Sequence, residues 1–215
     1  MRIAILGGTG DLGRGLAARF SEAGHDVVLG SRDAGRAGAI AAGLQRPNVS
    51  GAENSEAARA ADVVILTVPF NGHAEFVAAV SGSLEGKIVV DTTVSMGPKR
   101  AFMPPAAGSA AAEAQALLSG ARVVAAFHTL SASLLADTAR PLDQDALICG
   151  QDPAAKAMVI DLSATIGARG VDAGGLDAAA TLEALAVLLI NLDARYRRRD
   201  LGIRIAHLPA DARPR

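Results

Sequence analysis

The residues with the clearest chemical potential form a glycine-rich segment near the amino terminus. Gly8-Thr9-Gly10-Asp11-Leu12-Gly13 has the G-x-G-x-x-G spacing, directly after an apolar run and directly before a stretch with helical periodicity. In this spacing the first glycine permits a tight turn, the second lets the backbone approach a pyrophosphate, and the third lets helix and strand pack closely. The amide groups of the helix N-terminus then bind the anion. We predict dinucleotide binding here; a glycine-rich turn without a ligand is the alternative.

The residues after the second predicted strand indicate which dinucleotide is bound. An NAD site of this kind usually has Asp or Glu about 20 residues past the loop, where the carboxylate bonds the ribose 2′-hydroxyl. This sequence instead has Gly30-Ser31-Arg32, and Arg36 follows four positions after Arg32. A hydroxyl and two guanidinium groups suit a 2′-phosphate, so NADP is favoured over NAD, with Asp33 as the one carboxylate that argues the other way. The alternative is that these arginines are ordinary surface charge.

These motifs need strands and helices that hold them at one edge of a sheet. Apolar runs at 2–6, 26–29, 62–68, 86–90 and 121–127 predict strands, and the stretches 12–23, 34–44 and 73–80 predict helices. Such alternation predicts an α/β fold with a doubly wound, mostly parallel sheet of the Rossmann type. A ligand then lies beyond the carboxyl ends of the strands, near residues 68–70, 92–94 and 127–129. The segment 96–109, rich in proline and small residues, is predicted to be a mobile loop.

The chain after residue 140 predicts a small C-terminal α/β extension. It contains a strand at 146–150, a helix with Asp152 as N-cap and Pro153 at its first position, a short strand within 169–174, and a helix at 182–192. We therefore predict an NADP-binding Rossmann domain over residues 1–140. The extension, 141–215, completes the acceptor pocket and is not an independent domain. Because its last helix is apolar almost all round, we expect it in the core or against a second subunit, and we predict a homodimer.

Composition excludes several functional classes. The 215 residues are 50% hydrophobic with a net charge of −1, which argues against a disordered chain and against a partner such as nucleic acid or an anionic membrane. No apolar run reaches the roughly 18 residues of a membrane span. The single cysteine, Cys149, is interpreted as a small buried hydrophobe and fits a reducing, cytoplasmic compartment. No histidine has a partner at metal-ligand spacing, so no metal is predicted.

Two related enzyme classes do not fit the sequence. Short-chain dehydrogenases need a Tyr-x-x-x-Lys pair, but the only tyrosine, Tyr196, is followed by Arg197, Arg198, Arg199 and Asp200. Hydroxyacid-type dehydrogenases append a large helical domain, and too few residues follow Gly150 to build one. The second substrate must therefore bind against the sheet domain itself.

Seven short segments carry a family resemblance when they are taken in order. They are residues 7–13, Gly30-Ser31-Arg32, Leu66-Thr67-Val68-Pro69, Lys87-Ile88-Val89-Val90, His128-Thr129, Asp172-Ala173-Gly174 and Leu201-Gly202-Ile203. Together, and at similar spacing, they resemble the NADPH-dependent coenzyme F420 reductases. The resemblance implies hydride transfer between NADP(H) and the 5-deazaflavin ring of F420, without a metal or a covalent intermediate. The alternatives are an NADPH-dependent flavin (FMN or FAD) or ferric reductase on the same fold, and a non-catalytic NADP-sensing module.

The resemblance also implies roles for individual residues. Thr9, Ser31, Arg32 and Arg36 would hold the 2′-phosphate, and His128 would lie where nicotinamide and deazaflavin meet, as a proton donor or as a residue that shapes the pocket. The full set assigned to cofactor binding is Gly8, Thr9, Gly10, Asp11, Leu12, Gly13, Ser31, Arg32, Arg36, Val68, Pro69, Val94, Leu130, Ala132, Leu201 and Gly202.

Two groups of basic residues allow two interpretations each. Arg195, Arg197, Arg198 and Arg199 follow the last predicted helix and could bind the phosphate-and-glutamate tail of F420, or could complement the helix C-terminal dipole and stay solvated. Lys99 and Arg100 could reach a ligand phosphate from the predicted loop, or could be solvated surface charge.

Overall fold

An eight-stranded sheet carries all the predicted motifs. The computed structural model describes residues 1–209, so the last six residues of the predicted extension, 210–215, lie outside the described residues. The strands are β1 (Arg2–Leu6), β2 (Asp26–Ser31), β3 (Val49–Glu53), β4 (Val63–Leu66), β5 (Ile88–Asp91), β6 (Arg122–Ala125), β7 (Asp145–Gly150) and β8 (Arg169–Asp172). Their order across the sheet is β3-β2-β1-β4-β5-β6-β7-β8. Every neighbouring pair is parallel except β6 and β7.

Helices connect these strands, and several of them begin at residues typical of helix N-caps. Side chains of Asp33, Glu53, Ser109, Ser131 and Asp152 each accept a backbone N–H in the first turn of the helix that follows. The helices are α1 (Asp11–Glu22), α2 (Ala34–Gly43), α3 (Asn54–Arg59), α4 (His73–Val80), α5 (Ala110–Leu117), α6 (Ala132–Ala136), α7 (Pro153–Thr165) and α8 (Ala179–Tyr196). Short 3-10 turns lie at Ser81–Ser83, Pro98–Arg100 and Leu176–Ala178.

The alternation of side chains along β1 shows why the sheet is covered on both faces. Ile3 and Ile5 pack into one buried cluster with Phe20 of α1, whereas Ala4 and Leu6 pack into a second cluster on the opposite face. A strand whose side chains are apolar on both faces needs helices on both sides. The predicted doubly wound, mostly parallel fold is therefore confirmed.

One strand and one helix at the sheet edge were not predicted. Strand β3 has the sequence Val-Ser-Gly-Ala-Glu and gives no apolar run, and α3 follows it directly. A Cβ on Gly51 would lie 2.3 Å from the backbone of Ala37, so this strand needs glycine where it passes α2. The sequence pattern predicted no element between residues 44 and 62, where the structure has both β3 and α3.

The antiparallel pairing of β6 and β7 keeps a long segment at one edge of the sheet. An antiparallel neighbour starts at the edge where the preceding strand ends, so the chain need not cross the sheet between them. Residues 126–144, including α6, consequently stay beside the carboxyl ends of the parallel strands. The sequence predicted the strand at 146–150 but not its direction.

The last helix is longer and less buried than its sequence predicts. Leu182, Glu183, Ala186 and Val187 of α8 are buried, but Leu188 is 52% exposed. The rest of the chain therefore buries only part of the apolar surface of α8 and leaves another part, including Leu188, exposed.

The predicted loop is partly ordered by backbone contacts. An isolated bridge pairs Met96 with Phe102 around the turn Pro98–Arg100, and α5 begins at Ala110. Its mobility stays a prediction. Among residues 1–209, no helix is both long enough and apolar enough to cross a lipid bilayer.

Candidate functional site

The glycine-rich loop joins β1 to α1 in a geometry that depends on its glycines. The Gly8 amide donates to the Gly30 carbonyl of β2 over 3.1 Å, which places the loop beside the end of that strand. A Cβ on Gly13 would lie 2.5 Å from the Gly8 Cα, so helix and loop pack backbone to backbone. A Cβ on Gly10 would meet nothing within 4 Å, so the loop is open to one side at this residue. The loop therefore leaves space where a pyrophosphate would approach.

The N-terminus of α1 also leaves its amide groups without a side-chain cap. Gly10 occupies the N-cap position with φ −82° and ψ 178°, and no side chain accepts a hydrogen bond there. By contrast, α2 begins with Asp33 accepting from the Arg36 amide. Unsatisfied amides at a helix N-terminus, together with the positive end of the helix dipole, form a site for an anion. The residues present thus fit the phosphates of a dinucleotide.

A buried asparagine holds this loop and was not predicted. Asn54, the first residue of α3, is 2% exposed, and its Oδ1 accepts the Gly7 amide over 3.2 Å. A Cβ on Gly30 would lie 2.8 Å from the same oxygen, so glycine at that position makes room for Asn54. No local signal pointed to Asn54, because neither β3 nor α3 was predicted.

The residues predicted to read the ribose lie at the end of β2, beside the loop. Arg32 and Arg36 are exposed, and Ser31 is half-buried. Ser31 Oγ accepts the Asp33 amide over 3.2 Å, and Asp33 Oδ1 accepts the Arg36 amide over 3.1 Å. The Asp33 carboxylate is therefore engaged as a helix cap, whereas both guanidinium groups project into solvent.

A cleft of about 1200 Å³ opens beside α1 at the carboxyl edge of the sheet. It is bounded by the start of α1, by segment 127–136 and by the C-terminal half of α8. Of the predicted site residues, Asp11, Leu12, Val94, His128, Leu130, Ala132 and Leu201 line it. Gly8, Thr9, Gly10, Gly13, Ser31, Arg32, Arg36, Val68, Pro69 and Gly202 are not among its lining residues. The cleft therefore reaches the glycine-rich loop through Asp11 and Leu12 but does not extend to the end of β2.

His128 is the one histidine that lines the cleft within the described residues. Its Nε2 lies 3.1 Å from the Thr93 carbonyl oxygen and must donate to it, so Nδ1 carries the lone pair. That Nδ1 atom is buried and has no hydrogen-bond partner among residues 1–209. Burial lowers the pKa of His128, although the charge of Asp91 and the bond to Thr93 oppose the shift. The side chain is thus a neutral imidazole in the wall of the cleft, with Nδ1 turned away from solvent.

A buried network stands behind the Thr93 carbonyl. Asp91 Oδ1 accepts the Thr93 amide over 2.8 Å, and Asp91 Oδ2 lies 2.8 Å from His73 Nε2. The other His73 nitrogen faces Glu113 over 3.4 Å. Burial alone would lower the pKa of His73, but the two carboxylates outweigh it and raise that pKa. A positively charged His73 therefore compensates the fully buried Asp91, which shapes the backbone turn that His128 contacts.

A second buried carboxylate fastens α8 to the segment after β5 and to the start of α5. Glu183 Oε1 accepts the Ala110 amide over 2.8 Å, and Oε2 accepts both the amide and the hydroxyl of Ser95. Burial raises the pKa of Glu183, while these hydrogen bonds oppose the shift. The contact fixes α8 as the outer wall of the cleft.

The structure divides the basic residues whose role the sequence did not decide into those that line the cleft and those that do not. Arg100 and Arg197, Arg198 and Arg199 line the cleft, whereas Lys99 and Arg195 do not. Arg14, which was not predicted, also lines it and pairs with Asp11 over 2.6 Å. Cys149 is buried, and burial raises the pKa of its thiol to about 11, so it is a small hydrophobe as predicted. Residues 1–209 contain no group of three or more His, Cys, Asp or Glu side chains that could hold a metal ion.

Comparisons with known proteins agree with this geometry. Residues 2–95 match the family described as NADP oxidoreductase, coenzyme F420-dependent. The F420-dependent NADP reductases of Methanothermobacter thermautotrophicus and Methanothermobacter marburgensis are 40% and 41% identical to this chain, over 97% of it and over 96% and 100% of their own lengths. A solved structure of a candidate F420-dependent NADP reductase from Arthrobacter sp. FB24 superposes with a TM-score of 0.83 at 28% identity, covering 96% of this chain and 100% of that one.

The two buried histidines should differ in protonation. At pH about 6.5, the ordinary pKa of histidine, we expect neutral His128 with its proton on Nε2 and doubly protonated His73. Long-range ¹H–¹⁵N NMR of the imidazole nitrogens measures both states, and His128→Gln and His73→Gln assign the signals. A proton on Nδ1 of His128 would contradict the assignment.

Because His128 binds a proton more readily in the unfolded chain than in the folded one, its contribution should lower the free energy of unfolding as the pH falls below about 6.5.

Proposed function

This chain belongs to the family of F420-dependent NADP reductases, and on that premise we propose that it transfers a hydride between NADP(H) and coenzyme F420. The observation that carries the proposal is one cleft, of about 1200 Å³, that joins the uncapped start of α1 to His128 and to α8. It gives space for a second planar ring beside a dinucleotide bound at the glycine loop. The hydride donor and acceptor are both supplied by the bound coenzymes, so the chain has to bind and align them.

We assign the dinucleotide phosphates to the loop and to the end of β2. The amide groups at the start of α1 would bind the pyrophosphate above Gly10, where no atom blocks the approach. Thr9, Ser31, Arg32 and Arg36 would bind the 2′-phosphate, since the exposed guanidinium groups have no carboxylate partner among the described residues. Asp33 does not compete for the ribose, because its carboxylate caps α2.

We assign the meeting point of the two rings to the carboxyl ends of β4, β5 and β6. Val68, Pro69 and Val94 follow the first two of these strands, and Leu130 and Ala132 follow the third. Positioning two rings about 3–3.5 Å apart and excluding water can lower the activation free energy by on the order of 7–11 kcal/mol. His128 would shape the pocket and would not donate a proton, because its one proton is held by the Thr93 carbonyl and its Nδ1 atom is buried.

We propose that residues 141–215 complete this pocket and do not form a separate domain. Leu189 and Ile190 of α8 and Leu201 line the cleft together with residues from the first 140 positions. Gly202 allows the close approach of Gln144, whose Cδ would lie 2.2 Å from a Cβ at that position. The buried, unpaired Cys149 suits a cytoplasmic location.

The acceptor can be identified by steady-state assay. We expect purified protein to oxidise NADPH, followed by its absorbance, when F420 is added, and to do so far more slowly with FMN or FAD. Oxidation with a flavin alone would assign the chain to a flavin reductase, and tight NADPH binding without turnover on any acceptor would assign it to an NADP sensor.

Arg32 should determine the preference for NADPH over NADH. Charge-assisted bonds to phosphate contribute about 1.5–3 kcal/mol each, so Arg32→Ala should raise the KM for NADPH roughly tenfold to a hundredfold and leave the KM for NADH unchanged. Arg2→Ala is the matched control, because Arg2 is exposed at the opposite end of β1. An equal loss for both nucleotides would remove the 2′-phosphate from this site.

We also propose that the chain forms a homodimer through the uncovered side of α8. Leu188 is 52% exposed, and the nearby turn, fastened by Asn191 Nδ2 donating to the Arg100 carbonyl, carries the exposed Met96 and Met103. An apolar surface of this kind is typical of subunit contacts.

Leu188→Glu should convert this dimer to monomer. The charge would lie against apolar side chains of the partner, so light scattering should show half the wild-type mass while the far-UV circular dichroism stays unchanged. Leu117→Glu is the matched control, because Leu117 is also exposed, at 43%, but lies at the end of α5. A monomeric wild-type mass would refute the dimer.

A further inference from the structure

Three consecutive arginines face the cleft immediately after α8. Arg197, Arg198 and Arg199 line both the main cleft and a smaller adjoining pocket of about 340 Å³, which Ser133 and Arg140 also line. The two spaces thus lie side by side, because Ser133 and the three arginines line both of them.

The backbone that carries these arginines is fastened at both ends. Arg197 adopts a left-handed conformation, with φ 55°, that ends α8, and the Arg198 amide donates to the Asp193 carbonyl over 2.8 Å. Two hydroxyl groups, those of Ser131 and Ser133, donate to the Arg199 carbonyl. The guanidinium groups are therefore presented from a fixed segment at the mouth of the cleft.

The positive charge of this segment is only partly neutralised. Asp200 pairs with Arg198 over 2.9 Å and with Arg140 over 3.2 Å. Arg197 and Arg199 have no side-chain hydrogen bond or ion pair with any residue in 1–209. A single basic residue is enough to interact favourably with the helix dipole, so the dipole does not explain three arginines beside a cleft. Two of the three guanidinium groups are available to bind an anion.

We propose that Arg197 and Arg199, supported by Arg198, form a subsite for the anionic tail of F420; this inference rests on the proposed function. The tail carries a phosphodiester and glutamyl carboxylates, and planar guanidinium groups bind both with paired hydrogen bonds. The phosphates of NADP would share this chemistry, but they are already provided for at the glycine loop and at the end of β2. Neither Arg32 nor Arg36 lines the cleft or the adjoining pocket.

The subsite can be tested with two acceptors that differ only in the tail. F420 has the tail, whereas its riboside FO has the same ring and ribityl chain without phosphate or glutamate. In the double variant Arg197→Gln/Arg199→Gln, the ratio of kcat/KM for F420 to that for FO should fall about tenfold or more, as the loss of charge-assisted bonds predicts. The KM for NADPH should stay at its wild-type value. Arg122→Gln, an exposed charge at the opposite edge of the sheet, should leave the ratio unchanged.

Ionic strength gives a second measurement that needs no variant. Raising it from about 0.01 M to about 0.15 M shortens the Debye length from about 30 Å to about 8 Å, so wild-type kcat/KM should fall for F420 and not for FO. The double variant should lose that salt dependence.

The outcomes separate this inference from the proposed function. Equal losses for F420 and FO, or a raised KM for NADPH alone, would overturn the tail subsite while leaving F420 as the acceptor. Wild-type protein that reduces neither F420 nor FO would instead overturn the proposed function itself.

Discussion

The contact between Gly8 and Gly13 is the constraint on which the site depends. With a Cβ at Gly13 only 2.5 Å from the Gly8 Cα, no other residue allows α1 to begin so close to the end of β1. With this packing, α1 begins without a side-chain cap, next to the open space at Gly10. Two neighbouring elements depend on the same packing. Asn54 holds Gly7 from one side, and β2 accepts the Gly8 amide from the other.

Charges buried behind the cleft contribute a rigid wall. An ionised carboxylate taken out of water is costly unless it is paired and hydrogen-bonded, and Asp91 has both His73 and the Thr93 amide. This arrangement fixes the orientation of the Thr93 backbone and of the His128 ring. The Thr93 carbonyl is fixed by the turn at Asp91, and it fixes the His128 ring with Nδ1 buried and without a hydrogen-bond partner among the described residues. Glu183 does the same for α8, since its oxygens accept three hydrogen bonds from segments that precede it in the chain by more than 70 residues.

Sequence predicted the parts of this site that are local and failed where contacts are distant. The glycine spacing, the start of α1 and the arginines after β2 each lie within a few residues, and the structure places them together at one sheet edge. Strand β3 has one strongly apolar residue, so its hydrophobic pattern does not predict a strand. The role of Asn54, which directly follows β3, was therefore not predicted either. The partners of His73 are 18 and 40 positions away in the chain, a distance over which spacing carries no information. Strand direction is likewise set by packing, which is why the reversal at β7 was not predicted.

That reversal determines which segments form the walls of the cleft. Had β7 been parallel to β6, the connection between them would have had to cross back to the far edge of the sheet, and segment 126–144 as a whole could not have stayed at the carboxyl edge. Instead the segment stays beside the ends of β4, β5 and β6, and β8 leads into α8, which returns along the open side. The outer part of the molecule on this side is thus built from α8 and the two reversed strands, β7 and β8. In hydride transfer between two coenzymes, both reacting groups belong to the coenzymes, so a cleft for this reaction needs few acidic or basic side chains. The chain then supplies alignment, and charge at the periphery of the cleft.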